Sequence, residues 1–544
     1  MVSGLFGVYL NIICFNRCPA ACIRHKALTC DMNYFIRITG LITFAVLLVF
    51  ALLFFKERTI TFDMSSQEIF LLITHKFVLN LRVGAAIPQT IPLILQRLNC
   101  PLSSMLMVYS ASYVVFYFLF FLVIAFVFRQ GTVALVFLLS MLLVVNDTFY
   151  WIQSELPQGL AWLMLYYAYI EKKGPGDITR RPWLHFLLIM FIQSFHPLIF
   201  FPIFYVLIFS VYKHYKLDLG FYKWPVAIAV TDFGLRIWVS RFDQYESAKL
   251  DLTGVIKAHA DSIAGFVSNG KLMLIAHVPY LTVVILVTIL VLWYARKRRT
   301  LGPILALLFG AGILLLYFIA KQLSGLLPSV AKELHFAKSD YLIYWLIFLF
   351  TIFVLGLRRR FWEISMLVLF TMGYLMLICV AGSSADKFYL ENMMLPLGIF
   401  VLLPFVHILA DGYFKFPRQA QITVLAIVSI RLAFIFNTHT PYTSRLFWYG
   451  QRFAEMDRAH TQRLMLTEKS VPMDTLVMSW ASGYESLILS SLDGPEHSKS
   501  IVIDKDLAGY QPYLNSDSLT LAKWGVWSPK DLPGNYFLMR PGRY

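Results

Sequence analysis

The chain is short of charge. Asp, Glu, Lys and Arg make up only 14% of its 544 residues, against 58% hydrophobic. So little charge cannot cover a soluble globule, and the mean hydropathy of +0.67 points to a polytopic membrane protein. Cysteine is also scarce: Cys14, Cys18, Cys22, Cys30, Cys100 and Cys379. None lies in the polar C-terminal region, which therefore has no disulfide framework. Cys14, Cys18 and Cys22 lack C-x-x-C spacing and have only His25 nearby, which argues against a zinc site. No P-loop, G-x-S-x-G or H-E-x-x-H pattern occurs anywhere. Residues 1–31 lack a basic n-region and carry only the short apolar run GLFGVYLNIICF, unlike a signal peptide. They read as an N-terminal cytoplasmic extension, with translation expected to start at Met32. The net charge of +16 has no aromatic-interleaved basic platform behind it, so nucleic acid is not an expected partner.

What is present is a succession of apolar segments. A helical span needs about 20 apolar residues, and Lys/Arg-rich short loops stay in the cytoplasm. The first span falls near Tyr34–Phe55, followed by spans near Leu102–Phe128, Val133–Val145 and Leu160–Ile170. The run WLHFLLIMFIQSFHPLIFFPIFYVLIFSVY is too long for one pass, and both its flanks are basic. His196-Pro197 is expected to divide it into two short passes. Further spans follow through Trp224–Val239, a segment ending at Arg296–Arg299, Ile304–Ala320, and four more up to Ile422–Phe436. The expected fold is an all-α polytopic membrane protein of about thirteen transmembrane helices. The N-terminus is then cytoplasmic and the C-terminus outside, and the membrane domain covers residues 32–436.

Residues 437–544 change composition and are expected to form a small soluble α/β domain. The stretch YTSRLFWYGQRFAEMDRAHTQRLMLTE reads as a helix, TLVMSW as a strand, YESLILSSL as a helix, and SIVID and YFLMR as strands.

Residues Lys56 to Leu98 are neither a second span nor an ordinary polar loop. Ile69, Phe70, Ile73, Phe77 and Val78 share one helical face, with Gln67, Thr74, Lys76 and Asn80 largely opposite, so interfacial helices are expected here. Pro88 and Pro92 are expected to break the run. Asp63 sits just outside the bilayer, as a catalytic carboxylate or as a helix N-cap in a packing loop. The second outer loop carries Asp147 and Glu155, which with Asp63 could bind a divalent cation (Mg or Mn) or share general-base work. Lys387, in ADKFYLENMMLP, and Arg82 could hold a phosphate at headgroup level, although a side chain snorkelling to the interface is the simpler explanation of each. Asp232 and Arg236 lie four apart in one span and can pair. Arg431 has no local partner, which favours a cavity-facing role. His196 reads more simply as a helix-end hydrogen bonder than as a ligand, and Glu68 is the next acid after Asp63.

This layout resembles the GT-C superfamily of membrane glycosyltransferases, which use polyprenyl-phosphate-linked sugars. The resemblance rests on span count, an acid in a first outer loop of interfacial helices, acids in the second loop, the run KFYLENMMLP before a late span, and an outer C-terminal domain. It implies inverting sugar transfer from a polyprenyl-phosphate donor to an extracytoplasmic glycan or protein acceptor. Asp63 would act on the acceptor hydroxyl, with Lys387 and Arg82 on the donor phosphate. Asp63 is followed by MSSQ rather than an adjacent acid, and Lys387 stands where arginine is common. The lack of organelle-retention signals and of disulfides leans towards a bacterial inner membrane. Rival readings are a transporter or flippase, a polysaccharide ligase or polymerase, and a non-catalytic protein of the same fold.

Overall fold

The computed structural model describes residues 23–61, 71, 77, 84, 86–143, 149–152, 155–242, 347–356, 358–382, 395–410, 417–471, 481–492, 494, 497–508, 519–521 and 525–527. They are mostly helical, with two two-stranded sheets near the C-terminus. Among the described residues, four stretches are helical, long and apolar enough to cross a membrane: Asn33–Leu53, Leu102–Val127, Pro197–Tyr215 and a window within Val424–Arg458.

Helix α1 (Ile23–Leu53) carries the first of these, so the expected boundary between residues 31 and 32 falls inside it. After a short α2 (Phe55–Thr59) and α3 (Ala86–Arg97), α4 (Leu102–Leu122) continues through a π turn at Val123–Val127. α1 and α4 pack closely because Gly40 has no Cβ. A methyl group there would come within 2.0 Å of the Phe121 ring. α5 (Gly131–Leu143) has 13 residues and a rise of about 20 Å, short of a hydrocarbon core of about 30 Å. It is apolar all round, and Val133 through Leu139 are buried, so it forms the centre of the bundle. Around it lie α1, α6 (Glu155–Lys173), α13 (Leu395–Ala410) and α14 (Pro417–Asn437).

The break at His196-Pro197 is present. After α7 (Gly176–Arg180), α8 (Pro182–Gln193) stops. Pro197 forces His196 into an extended backbone (φ −160°, ψ 139°), a 3₁₀ turn covers Pro197–Ile199, and α9 (Phe200–Tyr215) begins. α10 (Lys223–Ser240), α11 (Ile347–Gly356) and α12 (Phe361–Gly382) complete the membrane-type helices.

Two expectations need correction. Pro88 and Pro92 do not break the chain, since both lie within α3. Pro88 occupies the first turn, where no N–H is needed. Pro92 costs about 3 kcal/mol inside a helix, yet α3 continues through it, with Pro88 and Pro92 buried and the helix in contact with α4. Asp232 and Arg236 do interact through space, in keeping with their spacing of four, and Asp232 Oδ2 is buried without a hydrogen bond of its own. Lastly, the helix expected to run to Glu468 ends at Arg458 as α15 (His439–Arg458). His460 turns the backbone at φ 52°, and Arg463–Thr467 becomes strand β1.

β1 pairs in parallel with β2 (Ser500–Asp504), and α16 (Ser482–Ser491) forms the crossover. Three serines one helical turn apart line the α16 face that meets β2. The hydroxyls of Ser482, Ser486 and Ser490 accept the backbone N–H groups of Ile503 (3.0 Å), Ile501 (2.9 Å) and Lys499 (2.8 Å). The helix thus supplies the acceptors that a neighbouring strand would, and closes this edge of β2. β3 (Leu519–Leu521) and β4 (Gly525–Trp527) form an antiparallel pair. TLVMSW and YFLMR lie outside the described residues.

Basic residues collect at one end of the helices. Lys172 Nζ, at the end of α6, donates to Val127 O at the end of the α4 turn (3.1 Å). Glu171 pairs with Lys213 near the end of α9 (2.5 Å), and Tyr212 meets the Trp362 ring at the start of α12 (6.5 Å). Three basic residues at this end follow a helix with positive φ: Arg129 (59°), Lys216 (55°) and Arg359 (57°). An L-residue there costs about 1–2 kcal/mol relative to glycine, while a cation at an exposed helix C-terminus gains only about 0.3–1 kcal/mol. Helix capping alone therefore does not account for all three.

Candidate functional site

The opposite end of the helices gathers the segments in which the sequence places its chemistry. α2 continues from α1 and turns Glu57, Arg58 and Thr59 inward. Arg58 is 2% exposed. Its Nε donates to Phe149 O (2.8 Å), and its Nη1 donates to both the carbonyl (2.8 Å) and the hydroxyl oxygen (2.7 Å) of Ser110 in α4. Ser110 Oγ in turn donates to Ala51 O in α1 (2.7 Å). The Phe149 ring lies 4.2 Å from the guanidinium carbon. One cation thus fastens the start of the first loop to the second loop and to α4. The guanidinium satisfies these acceptors with its fixed fork, which a lysine could not reproduce.

Beside this node the C-terminal region docks. Thr443 of α15 donates to Glu57 Oε1 (2.8 Å), and the Tyr150 ring stacks on Tyr442 (4.9 Å, 17°). Tyr150 Oη donates to Ile435 O (2.9 Å), and Trp151 Nε1 to Tyr442 Oη (3.3 Å). His439 stacks on Phe54 (4.5 Å). Below them, Ile60, Leu71, Leu102 and Met105 share an apolar cluster with Tyr484, Leu487 and Ile488 of α16. Inside the C-terminal region, Arg445 and Glu485 form a buried two-pronged ion pair (2.7 and 2.6 Å), and Tyr449 Oη donates to the same carboxylate (2.7 Å).

Of the residues read from the sequence, Asp63, Glu68, Arg82, Asp147 and Lys387 lie outside the described residues. Glu155 opens α6, where the helix N-terminus favours a carboxylate. His196 Nδ1 accepts the N–H of Leu198 (3.1 Å), a helix-end role. Arg431 is buried, and its Nε donates to Leu142 O at the end of α5 (2.6 Å), a partner 289 positions away in the chain. No group of three or more His, Cys, Asp or Glu side chains among the described residues could hold a metal ion.

Sequence reasoning missed Glu57, Arg58, Ser110, Phe149 and Thr443. The available signal was position: Lys56 and Arg58 follow the first span at the end away from the basic clusters, where a cation needs an internal partner.

At the basic end, Asp177 gathers Tyr169 Oη (2.8 Å), His185 Nε2 (3.3 Å) and Arg181 (3.9 Å). Partial burial opposes its charge, but these hydrogen bonds and the Arg181 cation hold it below the ordinary carboxylate range.

No family model, curated protein or solved structure matches the chain.

Proposed function

We propose that this chain is a membrane glycosyltransferase of the GT-C kind, inverting, that moves a sugar from a polyprenyl-phosphate donor to an extracytoplasmic glycan or protein acceptor. The observation that carries the reading is the Arg58 node. The stretch that bears Asp63 leaves α2 just after Arg58, which grips the loop between Asp147 and Glu155, and Glu57, which meets the C-terminal helix. An acidic first loop, an acidic second loop and an outer domain anchored together suit chemistry on a lipid-linked substrate at the membrane surface.

In this reading about thirteen spans carry the site, with the basic end cytoplasmic and residues 437–544 periplasmic at a bacterial inner membrane. Asp63 orients and deprotonates the acceptor hydroxyl, which attacks the anomeric carbon as polyprenyl phosphate leaves. Lys387 and Arg82 stabilise the charge that develops on the departing phosphate. Asp147 and Glu155 would hold Mg or Mn, which supplies further charge neutralisation when bound.

The test compares Asp63→Asn and Lys387→Ala with the parent, each checked for folding. Turnover of lipid-linked sugar is expected to fall by about 10²–10⁴ for Asp63→Asn, the usual loss on removing a general base. Parental surface glycans and turnover in both folded variants would remove the catalytic assignment. Asp232, a buried carboxylate in a membrane-type helix whose Oδ2 makes no hydrogen bond, favours a second reading, a transporter with a proton or ion path. That reading expects Asp232→Asn, rather than Asp63→Asn, to stop function.

A further inference from the structure

We infer that the basic end of the bundle is a docking surface for anionic phospholipid headgroups, held by Arg129, Lys216 and Arg359. The contacts from Lys172 to Val127, Glu171 to Lys213 and Tyr212 to Trp362 bring the ends of α4, α6 and α9 and the start of α12 together. All three cations are exposed, and none makes an ion pair with another described residue. The acids nearest in the chain to two of them are already engaged. Glu363 pairs with Arg360 (2.5 Å), and Asp218 caps the Gly220 N–H (3.1 Å). Arg129, Lys172, Lys173, Lys213, Lys216, Arg358, Arg359 and Arg360 outnumber Glu171, Asp218 and Glu363, so this end carries net positive charge.

Each of the three cations also stands at a positive φ where glycine would be the less strained choice, and the helix dipole does not make up the difference. Positive charge is kept there against local backbone preference. Exposed apolar side chains follow two of these cations. Leu217 and Leu219 follow Lys216, and Phe361 and Trp362 follow Arg359, each 46% exposed or more. Aromatic rings beside cations suit the headgroup boundary, where anionic lipid attracts Lys and Arg and the rings meet the acyl chains. A free anion in solution would make no use of these apolar neighbours. An anionic phospholipid uses both features.

The glycine substitutions give the decisive experiment, because they remove charge while relaxing the backbone. The triple variant Arg129→Gly, Lys216→Gly, Arg359→Gly is purified beside the parent from micelles holding equal phosphatidylglycerol and phosphatidylcholine. Bound lipid is counted by native mass spectrometry, and melting temperature is measured in each lipid alone. The variant is expected to melt no lower than the parent in phosphatidylcholine and to lose phosphatidylglycerol affinity on the order of 100-fold, from three cations near the surface. The charge-conserving variant Arg129→Lys, Lys216→Arg, Arg359→Lys is expected to retain phosphatidylglycerol like the parent. If the glycine variant binds as much phosphatidylglycerol as the parent, the proposal is wrong and the cations are helix caps only.

Discussion

Glu485→Gln is the sharpest test of how the C-terminal region holds together. Glu485 is fully buried, and Arg445 is 1% exposed. The carboxylate accepts two hydrogen bonds from the Arg445 guanidinium and one from Tyr449 Oη. Glutamine keeps the shape but removes the charge, and one of its two terminal atoms is then a donor facing a donor. A buried guanidinium left without its counter-charge costs about 3–5 kcal/mol, so the folded fraction of this region should fall by between 10² and 10⁴ in its equilibrium constant, at about 1.4 kcal/mol per tenfold. The assay is urea titration of the full-length protein in micelles, read by pulse proteolysis in residues 439–504 and by Trp448 fluorescence. A second variant removes the network together: Arg445→Met, Glu485→Leu, Tyr449→Phe. With no buried charge or hydroxyl left unpaired, it should fall within about 1 kcal/mol of the parent or exceed it. The reasoning fails if Glu485→Gln unfolds at the parental midpoint, or if the triple variant is as unstable as the single one.

Two further outcomes are expected. Arg58→Met leaves Phe149 O without its donor inside the protein, a cost of about 1–3 kcal/mol. It should raise amide exchange across Phe149–Ile152 and in α2, Arg58→Lys should not restore it, and parental exchange in the methionine variant would show that Arg58 does not fasten the loops. The Asp177 carboxylate, held below its ordinary range, contributes stability above the unfolded carboxylate value of about 4 and loses it as pH falls through the lowered one. The parent should therefore lose melting temperature as pH drops below about 4, and Asp177→Asn should lose less over the same interval. Identical acid profiles would count against the hydrogen-bonded Asp177 cluster.

Much of the helical layout was legible because local chemistry decides it. His196-Pro197 divides a long apolar run, since proline denies both a donor and the helical conformation of the residue before it. The α16 helix and strand β2 followed from periodicity alone. Strand β1 was misread as helix. RLMLT carries no decisive period over five residues, and only the parallel partner Ser500–Asp504, 37 positions away in register, makes it a strand. Pro92 was overweighted for the related reason that its cost is local while the packing that offsets it is not.

By itself, then, the sequence determined a membrane-type helical chain with a polar C-terminal region, because hydropathy, proline and basic clusters act over a few residues. Tertiary structure alone decided which polar groups face one another. Arg58 finds Phe149, Arg431 finds Leu142, and Glu57 finds Thr443, across separations of 91, 289 and 386 positions. A buried cation must be satisfied somewhere, and the sequence states that need without naming the partner.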